Sequence, residues 1–336
     1  MTRRQLDASF HPTWWLRGRH RQSVLPSLPM RRRSVERHAR PLLAASREHL
    51  VDCGDGVTLQ AFHAPPPAGA PVPRDGRTLA VLLHGWEGSA ASLYILSLAQ
   101  RLFDHGYDVV RLNLRDHGDT HHLNRELFHS CRLPEVVGAV RRLQADFASH
   151  RLVLAGFSLG GNFVLRVAAA APAAGLCISR AVAVSPVLDP ARTLDALESG
   201  FSLYPRYFVL KWSRSLQRKQ AAWPGAFDFS PLLQSRNLRR MTADLVRAHT
   251  EYGDLDSYLA GYAITGARLA GLTVPSTVLT ALDDPMIPAR ELELLPHEPL
   301  LRVVVTRHGG HCGFLESLGA STWVDGFVHG EFEAQA

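Results

Sequence analysis

The sequence predicts an α/β fold in which a mostly parallel central sheet carries helices on both faces and receives a helical cap insertion. Short apolar runs alternate with helical stretches, as buried parallel strands and their crossover helices do. The first two runs lie close together in sequence and are expected to form an antiparallel edge. The predicted strands are residues 48–53, 57–63, 79–84, 108–113, 151–155, 181–185, 275–281 and 301–306.

The alternation stops between Pro186 and about Leu272, where aromatic and basic residues occur together. We expect this segment to form a helical cap over one end of the sheet, with most of its aromatic side chains packing the cap onto the core. A cap of this kind excludes water and offers an apolar wall. The predicted units are an N-terminal basic arm at 1–46, a first core part at 47–190, the cap at 191–272 and a second core part at 273–332.

Residues 151–162 read RLVLAGFSLGGN, an apolar strand followed by a G-x-S-x-G motif and a helix. This context predicts a nucleophile elbow, because a serine at a sharp strand-to-helix turn holds its hydroxyl out of the sheet. The turn requires glycine at both Gly156 and Gly160, because a side chain at either position would collide across it. The sequence therefore predicts Ser158 as a nucleophile.

A serine hydroxyl needs a histidine and a carboxylate to become a nucleophile at neutral pH. The strand at 275–281 runs into Leu-Asp-Asp-Pro-Met-Ile-Pro, which offers Asp283 and Asp284 as neighbouring candidates for the acid. The next strand runs into Arg-His-Gly-Gly-His-Cys-Gly-Phe, and we predict that His311 is the base, because its flanking glycine lets the ring approach the serine. His308 is expected to be structural, and a helix is expected to begin just after His311.

A negative charge develops on the substrate oxygen during attack, and two backbone N–H groups are needed to stabilise it. Leu159 follows the nucleophile and is predicted to supply one of them. The strand at 79–84 continues as His-Gly-Trp-Glu-Gly-Ser, whose glycines allow the backbone to fold over the site. We predict that Trp86 supplies the second N–H group.

The chain resembles the YheT-like branch of the α/β-hydrolase superfamily over nearly its whole length. The blocks that carry the resemblance are the opening segment around FHP, WLR and HRQ, and then LLHGWEGSAAS, LNLRDHGDTHH, LFHSC, GFSLGGN, ALDDPMIP and GGHCGF. The resemblance implies the α/β-hydrolase fold and favours Asp284 over Asp283, because D-P-x-I/V-P is the usual frame of the acid. One departure is Arg115–Asp119, RDHGD, where a small Gly- and Ser-rich loop would be expected.

Together these residues predict a lipase-like serine esterase that cleaves carboxylic esters through an acyl-enzyme intermediate. The resemblance implies lipid-like or short-to-medium acyl esters, with the acyl length and the alcohol left open. No cofactor is expected. An acyltransferase would use the same triad, and a non-catalytic scaffold could keep the same fold.

Four histidines and two aspartates lie close together in sequence: His117, His121, His122, His129, Asp116 and Asp119. Such clusters can bind metal, but this spacing matches no common zinc pattern and a serine nucleophile needs no metal. We therefore predict no metal site here and expect a polar loop rim.

The chain has 336 residues, 46% of them hydrophobic, which is enough for one large core. The 37 basic residues exceed the 31 acidic ones, and Arg31-Arg32-Arg33 contributes to the excess. We expect a solvated arm here and no nucleic-acid partner, with a weak contact to an anionic membrane surface left open. The four cysteines lack C-x-x-C pairing, and neither a signal peptide nor a spanning helix is indicated, so a cytoplasmic protein with reduced thiols is expected.

Overall fold

A nine-stranded sheet forms the centre of the described chain, with the strand order β1-β9-β8-β7-β6-β4-β5-β3-β2. The structure is a computed structural model and describes residues 4–334. The strands are β1 (Arg4–Leu6), β2 (Arg47–Asp52), β3 (Thr58–Ala64), β4 (Thr78–Leu83), β5 (Asp108–Leu112), β6 (Arg151–Phe157), β7 (Ile178–Val184), β8 (Ser276–Ala281) and β9 (Leu301–Thr306).

The predicted strands are all present, each within a few residues of its expected bounds. Strand β2 pairs antiparallel with β3, and β3 pairs antiparallel with β5, which forms the expected antiparallel edge. All other strand pairs are parallel. Strand β1 was not predicted: it adds to the far edge by pairing in parallel with β9.

Helices cover both faces of the sheet. They are α1 (Arg19–Val24), α2 (Pro29–His38), α3 (Arg40–Ala45), α4 (Leu93–Asp104), α5 (Leu133–Asp146), α6 (Leu159–Ala174), α7 (Pro190–Ser199), α8 (Leu203–Ala222), α9 (Ser230–Leu233), α10 (Leu238–His249), α11 (Leu255–Gly261) and α12 (Trp323–Glu333). Short 3₁₀ turns lie at Trp14–Leu16, Leu25–Ser27, Gly266–Leu269 and Ala289–Leu294.

The central strands are buried on both sides, which explains their continuous apolar sequence. In β4 all six residues are buried. Val81 and Leu83 pack into one core with α5 and α6, whereas Ala80 and Leu82 pack into a second core with α2, α4 and α12. Successive side chains of a strand point to opposite faces of the sheet. When both faces are buried, every position of the strand therefore requires an apolar residue.

The arm packs on the second core through α2 and α3, and its arginine run is not uniformly solvated. The side chain of Arg31 is buried and donates to the carbonyls of Pro26, Gly319 and Ala320 at 2.8–3.2 Å. Arg32 is exposed and pairs with Glu36 on the next helical turn. The expectation of a solvated run is therefore wrong for Arg31, because carbonyls on the segment before α12 satisfy its guanidinium.

Helices α7 to α11 form the stretch where the strand alternation stops, and they lie between β7 and β8. Part of this stretch has a small core of its own, formed by residues of α8, α9 and α10 with Leu127 and Phe229. The domain boundaries given above stay predictions. Within residues 4–334, none of the helices is both long and apolar enough to cross a membrane. All four cysteines are free thiols.

Candidate active site

Ser158 lies at the sharp turn between β6 and α6, with φ 54° and ψ −118°. A non-glycine residue rarely adopts this backbone conformation, and such strain is concentrated at functional sites. The flanking glycines permit the turn. A Cβ at Gly156 would lie 2.8 Å from the Gly161 nitrogen, and a Cβ at Gly160 would lie 2.5 Å from the His84 carbonyl oxygen. Neither position has room for a side chain.

A chain of hydrogen bonds joins three of the predicted residues. The distance between His311 Nε2 and Ser158 Oγ is 2.9 Å, and that between His311 Nδ1 and Asp284 Oδ2 is also 2.9 Å. An ionised carboxylate only accepts hydrogen bonds, so Nδ1 carries the proton and Nε2 is left to accept from the serine hydroxyl. This is the tautomer that a general base requires.

Asp284 and Asp283 have different partners. The second oxygen of Asp284 accepts from the backbone N–H groups of Met286 and Ile287 at 2.8 and 3.0 Å, which fixes the carboxylate toward His311. Asp283 accepts from the N–H of Gly310 at 2.9 Å, and its other oxygen lies 3.6 Å from His308 Nδ1. Asp284 is therefore the carboxylate that contacts the His311 imidazole, whereas Asp283 contacts Gly310 and His308 in the loop that carries His311.

The loop after β9 differs from its prediction, because the next helix begins only at Trp323. Gly309, Gly310, Cys312 and Phe314 all have positive φ, which is incompatible with a helix starting after His311. The loop is tightly packed: a Cβ at Gly313 would collide with the carbonyl of Gln22. The helix prediction failed because contacts with the distant N-terminal arm determine this conformation.

The arm holds the histidine loop directly, which the sequence did not indicate. The backbone N–H of His311 donates to Ser23 Oγ at 2.9 Å. The amide of Gln22, which is fully buried, donates to the carbonyls of Leu16 and Leu315 and accepts from the N–H of Leu315. Local sequence patterns carry no signal for such a contact between residues nearly three hundred positions apart.

His311 is buried among groups that act on its pKa in opposite directions. Burial lowers the pKa of the imidazole, but the Cys312 sulfur and the Asp284 carboxylate raise it, so the pKa lies well above the ordinary value of 6.5. Charge stabilisation by a neighbouring carboxylate is the usual cause of a raised histidine pKa. The arrangement stabilises the imidazolium that forms once the neutral ring has taken up a proton at Nε2.

The loop after β4 closes over Ser158. A Cβ at Gly85 would lie 3.2 Å from Ser158 Cβ, and the N–H of Gly85 is already occupied by the Tyr94 hydroxyl at 3.0 Å. Among the described loop and turn hydrogen bonds, none uses the N–H of Trp86 or Leu159 as donor. The N–H of Leu159 begins helix α6, where backbone donors lack a partner within the helix and the helix dipole favours negative charge.

Two cavities meet at Ser158, and each has about 920 Å³ of empty space, partly open to solvent. The first is mainly apolar. It lies under α7, α8 and α10, and its wall includes Leu194, Leu197, Leu238, Leu245 and Ile287. Tyr258 and Tyr262 also line it. Of the aromatic residues predicted for the cap, Phe208 and Trp212 reach this cavity, and Phe208 stacks on Trp86 with ring centroids 5.2 Å apart.

The histidines of the segment 117–129 do not converge. His117 is buried against the His84 ring at 4.9 Å, His121 contacts the Ser215 hydroxyl and His129 lies near Glu251, whereas His122 is exposed. Burial lowers the pKa of His121 and of His129 to about 4, so both rings are neutral at neutral pH. In the described part of the chain, no group of three or more His, Cys, Asp or Glu residues could hold a metal ion.

Comparisons with known proteins agree with this fold. A family model of the alpha/beta hydrolase fold matches residues 80–318. A protein of Escherichia coli (strain K12) named putative esterase YheT is 31% identical over 244 residues, which are 70% of this chain and 70% of that protein. The chain therefore belongs to the α/β-hydrolase family, in its YheT-like branch.

More distant relatives share the fold. Human phospholipase ABHD3 is 22% identical over 259 residues, which are 74% of this chain but only 62% of that protein. The crystal structure of 2,6-dihydroxy-pseudo-oxynicotine hydrolase superposes with a TM-score of 0.56 at 19% identity, over 90% of this chain and 72% of that one. At this identity the structural likeness concerns the fold alone.

Proposed function

We propose that the protein hydrolyses carboxylic esters through an acyl-enzyme intermediate, with Ser158, His311 and Asp284 as its catalytic triad. The observation that carries the proposal is the pair of 2.9 Å hydrogen bonds that join Ser158 to His311 and His311 to Asp284. A serine at a strained elbow, in contact with a correctly protonated imidazole, has the geometry of an activated nucleophile.

In the first step Ser158 Oγ attacks the ester carbonyl carbon while its proton passes to His311 Nε2. The carbonyl π electrons move onto the oxygen, which the N–H groups of Trp86 and Leu159 stabilise. When this intermediate collapses, the bond to the alcohol oxygen breaks and His311 gives its proton to the departing alkoxide. Asp284 holds the imidazole in place and stabilises its charged form throughout.

In the second step a water molecule gives a proton to His311 and attacks the acyl carbon. Collapse of the second tetrahedral intermediate breaks the bond to Ser158 Oγ, which takes the proton back, and releases the carboxylic acid. An acyltransferase would differ only here, because an alcohol or thiol would replace the water. No step requires a group beyond the residues named and water.

The substrate class we propose is lipid-like or short-to-medium acyl esters. The apolar cavity under α7, α8 and α10 supports a hydrocarbon acyl group, because its wall is mostly aliphatic and aromatic. The names esterase and phospholipase among the relatives also favour an ester bond in a lipid-like molecule.

Labelling with a fluorophosphonate probe, followed by mass mapping of the adduct, tests the nucleophile. We expect modification at Ser158 and loss of p-nitrophenyl ester hydrolysis in Ser158→Ala, and the optimum in a series of acyl lengths measures the cavity. Full activity in Ser158→Ala would refute the mechanism. A folded protein that neither reacts with the probe nor hydrolyses any ester would instead be a scaffold, and product analysis with added alcohols or thiols separates hydrolysis from acyl transfer.

A further inference from the structure

The second cavity at Ser158 continues into a basic channel. Its wall includes Ser23, Arg32, Glu87, Tyr207 and Lys211 together with Ser158 and His311. A neighbouring cavity of about 890 Å³ has Arg32, Glu87, Gly88, Ser92 and Lys211 in common with it, and adds Arg214 and Arg218. Because these five residues line both cavities, the two cavities adjoin, and we call them together the basic channel.

Three of the cations lie on one face of helix α8. Lys211, Arg214 and Arg218 follow at intervals of three and four residues, which brings their side chains to the same side of a helix. Arg32 contributes a fourth cation from helix α2. Two separate segments of the chain thus direct positive charge into the basic channel.

The acids of the basic channel offset little of this charge. Asp116 is ion-paired at 2.9 Å with Lys219, and both side chains are buried, so this pair is neutral overall. Burial raises the pKa of Glu87 to about 7 against the opposing effect of Lys211, so Glu87 is largely uncharged in mildly acidic solution. Arg32 pairs with Glu36, and Arg218 pairs with Asp119. Both acids are exposed, so these ion pairs are weak.

Lys211 is the cation best placed to contact a ligand near Ser158. Its ammonium donates to the Glu87 carbonyl at 3.2 Å and lies 5.5 Å from the Tyr207 ring centroid. A lysine ammonium has three donors, so the bond to Glu87 leaves donors for an incoming anion. The side chain lines the cavity at Ser158 and its outer continuation, and it is only half-exposed, which strengthens a charge–charge contact.

The two cavities at Ser158 differ in chemistry but share the reacting residues. Trp86, Ser158, Phe208, Met286 and His311 line both of them. An ester bound with its carbonyl carbon at Ser158 extends to both sides of that carbon. The apolar cavity suits a hydrocarbon acyl chain, and the alcohol part then lies on the side of the basic channel.

We propose that the basic channel binds an anionic group, a phosphate or a carboxylate, carried by the alcohol part of an ester whose acyl chain fills the apolar cavity. This inference rests on the proposed ester hydrolysis and specifies its substrate class. Lys211 contacts the anion near the ester bond, and Arg32, Arg214 and Arg218 attract it from solution. Charge-assisted hydrogen bonds of this kind strengthen binding and select against neutral analogues.

Binding to the Ser158→Ala protein tests the channel without turnover. The ligands are 1-octanoyl-glycerol 3-phosphate, the octanoyl ester of glyceric acid and neutral 1-octanoyl-glycerol, each kept below its micelle concentration and measured by calorimetry at pH 6.5. We expect both anions to bind at least about tenfold more tightly than the neutral ester, which is the effect of one charge-assisted contact. The preference should shrink as salt is raised, because exposed cations are screened.

Variants assign the preference to the channel. Lys211→Gln and the exposed Arg214→Gln should each lower the affinity for the anionic ligands several-fold and leave that for the neutral ester unchanged. Arg142→Gln, which removes an exposed cation from α5, is the matched control and should change neither affinity. Preference for only one anion would identify the group as phosphate or as carboxylate.

Equal binding of neutral and anionic ligands, or equal losses for both in the variants, would overturn the inference. Hydrolysis of p-nitrophenyl octanoate by the wild-type protein is measured in parallel. Failure of that reaction would refute the proposed hydrolysis, whereas turnover without anion preference would refute the basic channel alone.

Discussion

The backbone N–H of His311 donates a 2.9 Å hydrogen bond to the hydroxyl of Ser23, a residue 288 positions earlier in the chain. The same hydroxyl donates to the Arg19 carbonyl one turn back in helix α1, at 2.7 Å. The serine is therefore fixed at both its donor and its acceptor functions. Helix α1 thereby helps to position the proposed general base, His311, relative to Ser158.

Replacing Ser23 by alanine should slow turnover more than it weakens substrate binding. The loop would lose the acceptor that holds His311, and a small displacement of a catalytic group is costly in rate. We expect kcat to fall about tenfold with KM little changed. Ser199→Ala is the matched control, because Ser199 makes the same hydrogen bond to the preceding turn, at 2.7 Å, and lines neither cavity at Ser158. A rise in KM at constant kcat would contradict a positioning role for Ser23.

Exchanging each aspartate of the Asp283-Asp284 pair for asparagine separates their roles. Asp284→Asn leaves the shape intact but removes the acceptor that fixes the tautomer of His311, and we expect kcat to fall by about 10⁴. Asp283→Asn keeps an oxygen that can accept from Gly310, so its loss should stay within about tenfold. Steady-state kinetics on a p-nitrophenyl ester measure both. The reverse order would make Asp283 the acid.

The rate should depend on pH through the protonation of His311. A base must be neutral to accept a proton, and the pKa of His311 lies above 6.5 because Asp284 and Cys312 outweigh the effect of burial. Activity is thus lost as the pH falls through this raised pKa, and the midpoint of kcat/KM against pH should lie above 6.5. Asp284→Asn should move the residual midpoint downward, and His308→Gln should leave it in place. A wild-type midpoint below 6.5 would contradict this electrostatic account.

Gly160 is expected to be intolerant of substitution for steric reasons alone. In Gly160→Ala the new methyl group would meet the His84 carbonyl at 2.5 Å, so the elbow or strand β4 must shift. Overpacking of this kind costs about 1–3 kcal/mol or more of unfolding free energy. Gly330→Ala in α12 has nothing within 4 Å of its methyl group and should raise stability by about 0.5–1 kcal/mol. Urea unfolding of both variants gives the comparison, and equal stabilities would show that the elbow tolerates a side chain.

The strands and the three aligned side chains could be predicted because their signals are local. A buried parallel strand is an apolar run, and the residues after β6, β8 and β9 are brought to one edge by the sheet itself. Asp284 and Asp283 could not be separated by position alone, because the backbone N–H groups of Met286 and Ile287 orient only one of them.

The remaining features depend on contacts between distant segments. Residues Arg4–Leu6 are too few to show a strand pattern, and they are extended because β9 offers them an edge. The loop after His311 is rich in positive φ because Gln22 and Ser23 occupy the space beside it. The burial of Arg31 also depends on a distant segment. Its place in a run of arginines predicts exposure, but its guanidinium donates to the carbonyl of Gly319.

The contacts between the arm and the histidine loop also order events in time. During synthesis, residues 4–31 leave the ribosome well before the segments they contact, which lie within 301–320. Contacts of such large sequence separation form late in folding. The turn at Ser158 and the strands beside it can form while His311 has no fixed position. A newly made chain would therefore form the turn at Ser158 before it fixes the imidazole of His311 beside that serine, and Ser23, synthesised long before His311, would complete the arrangement.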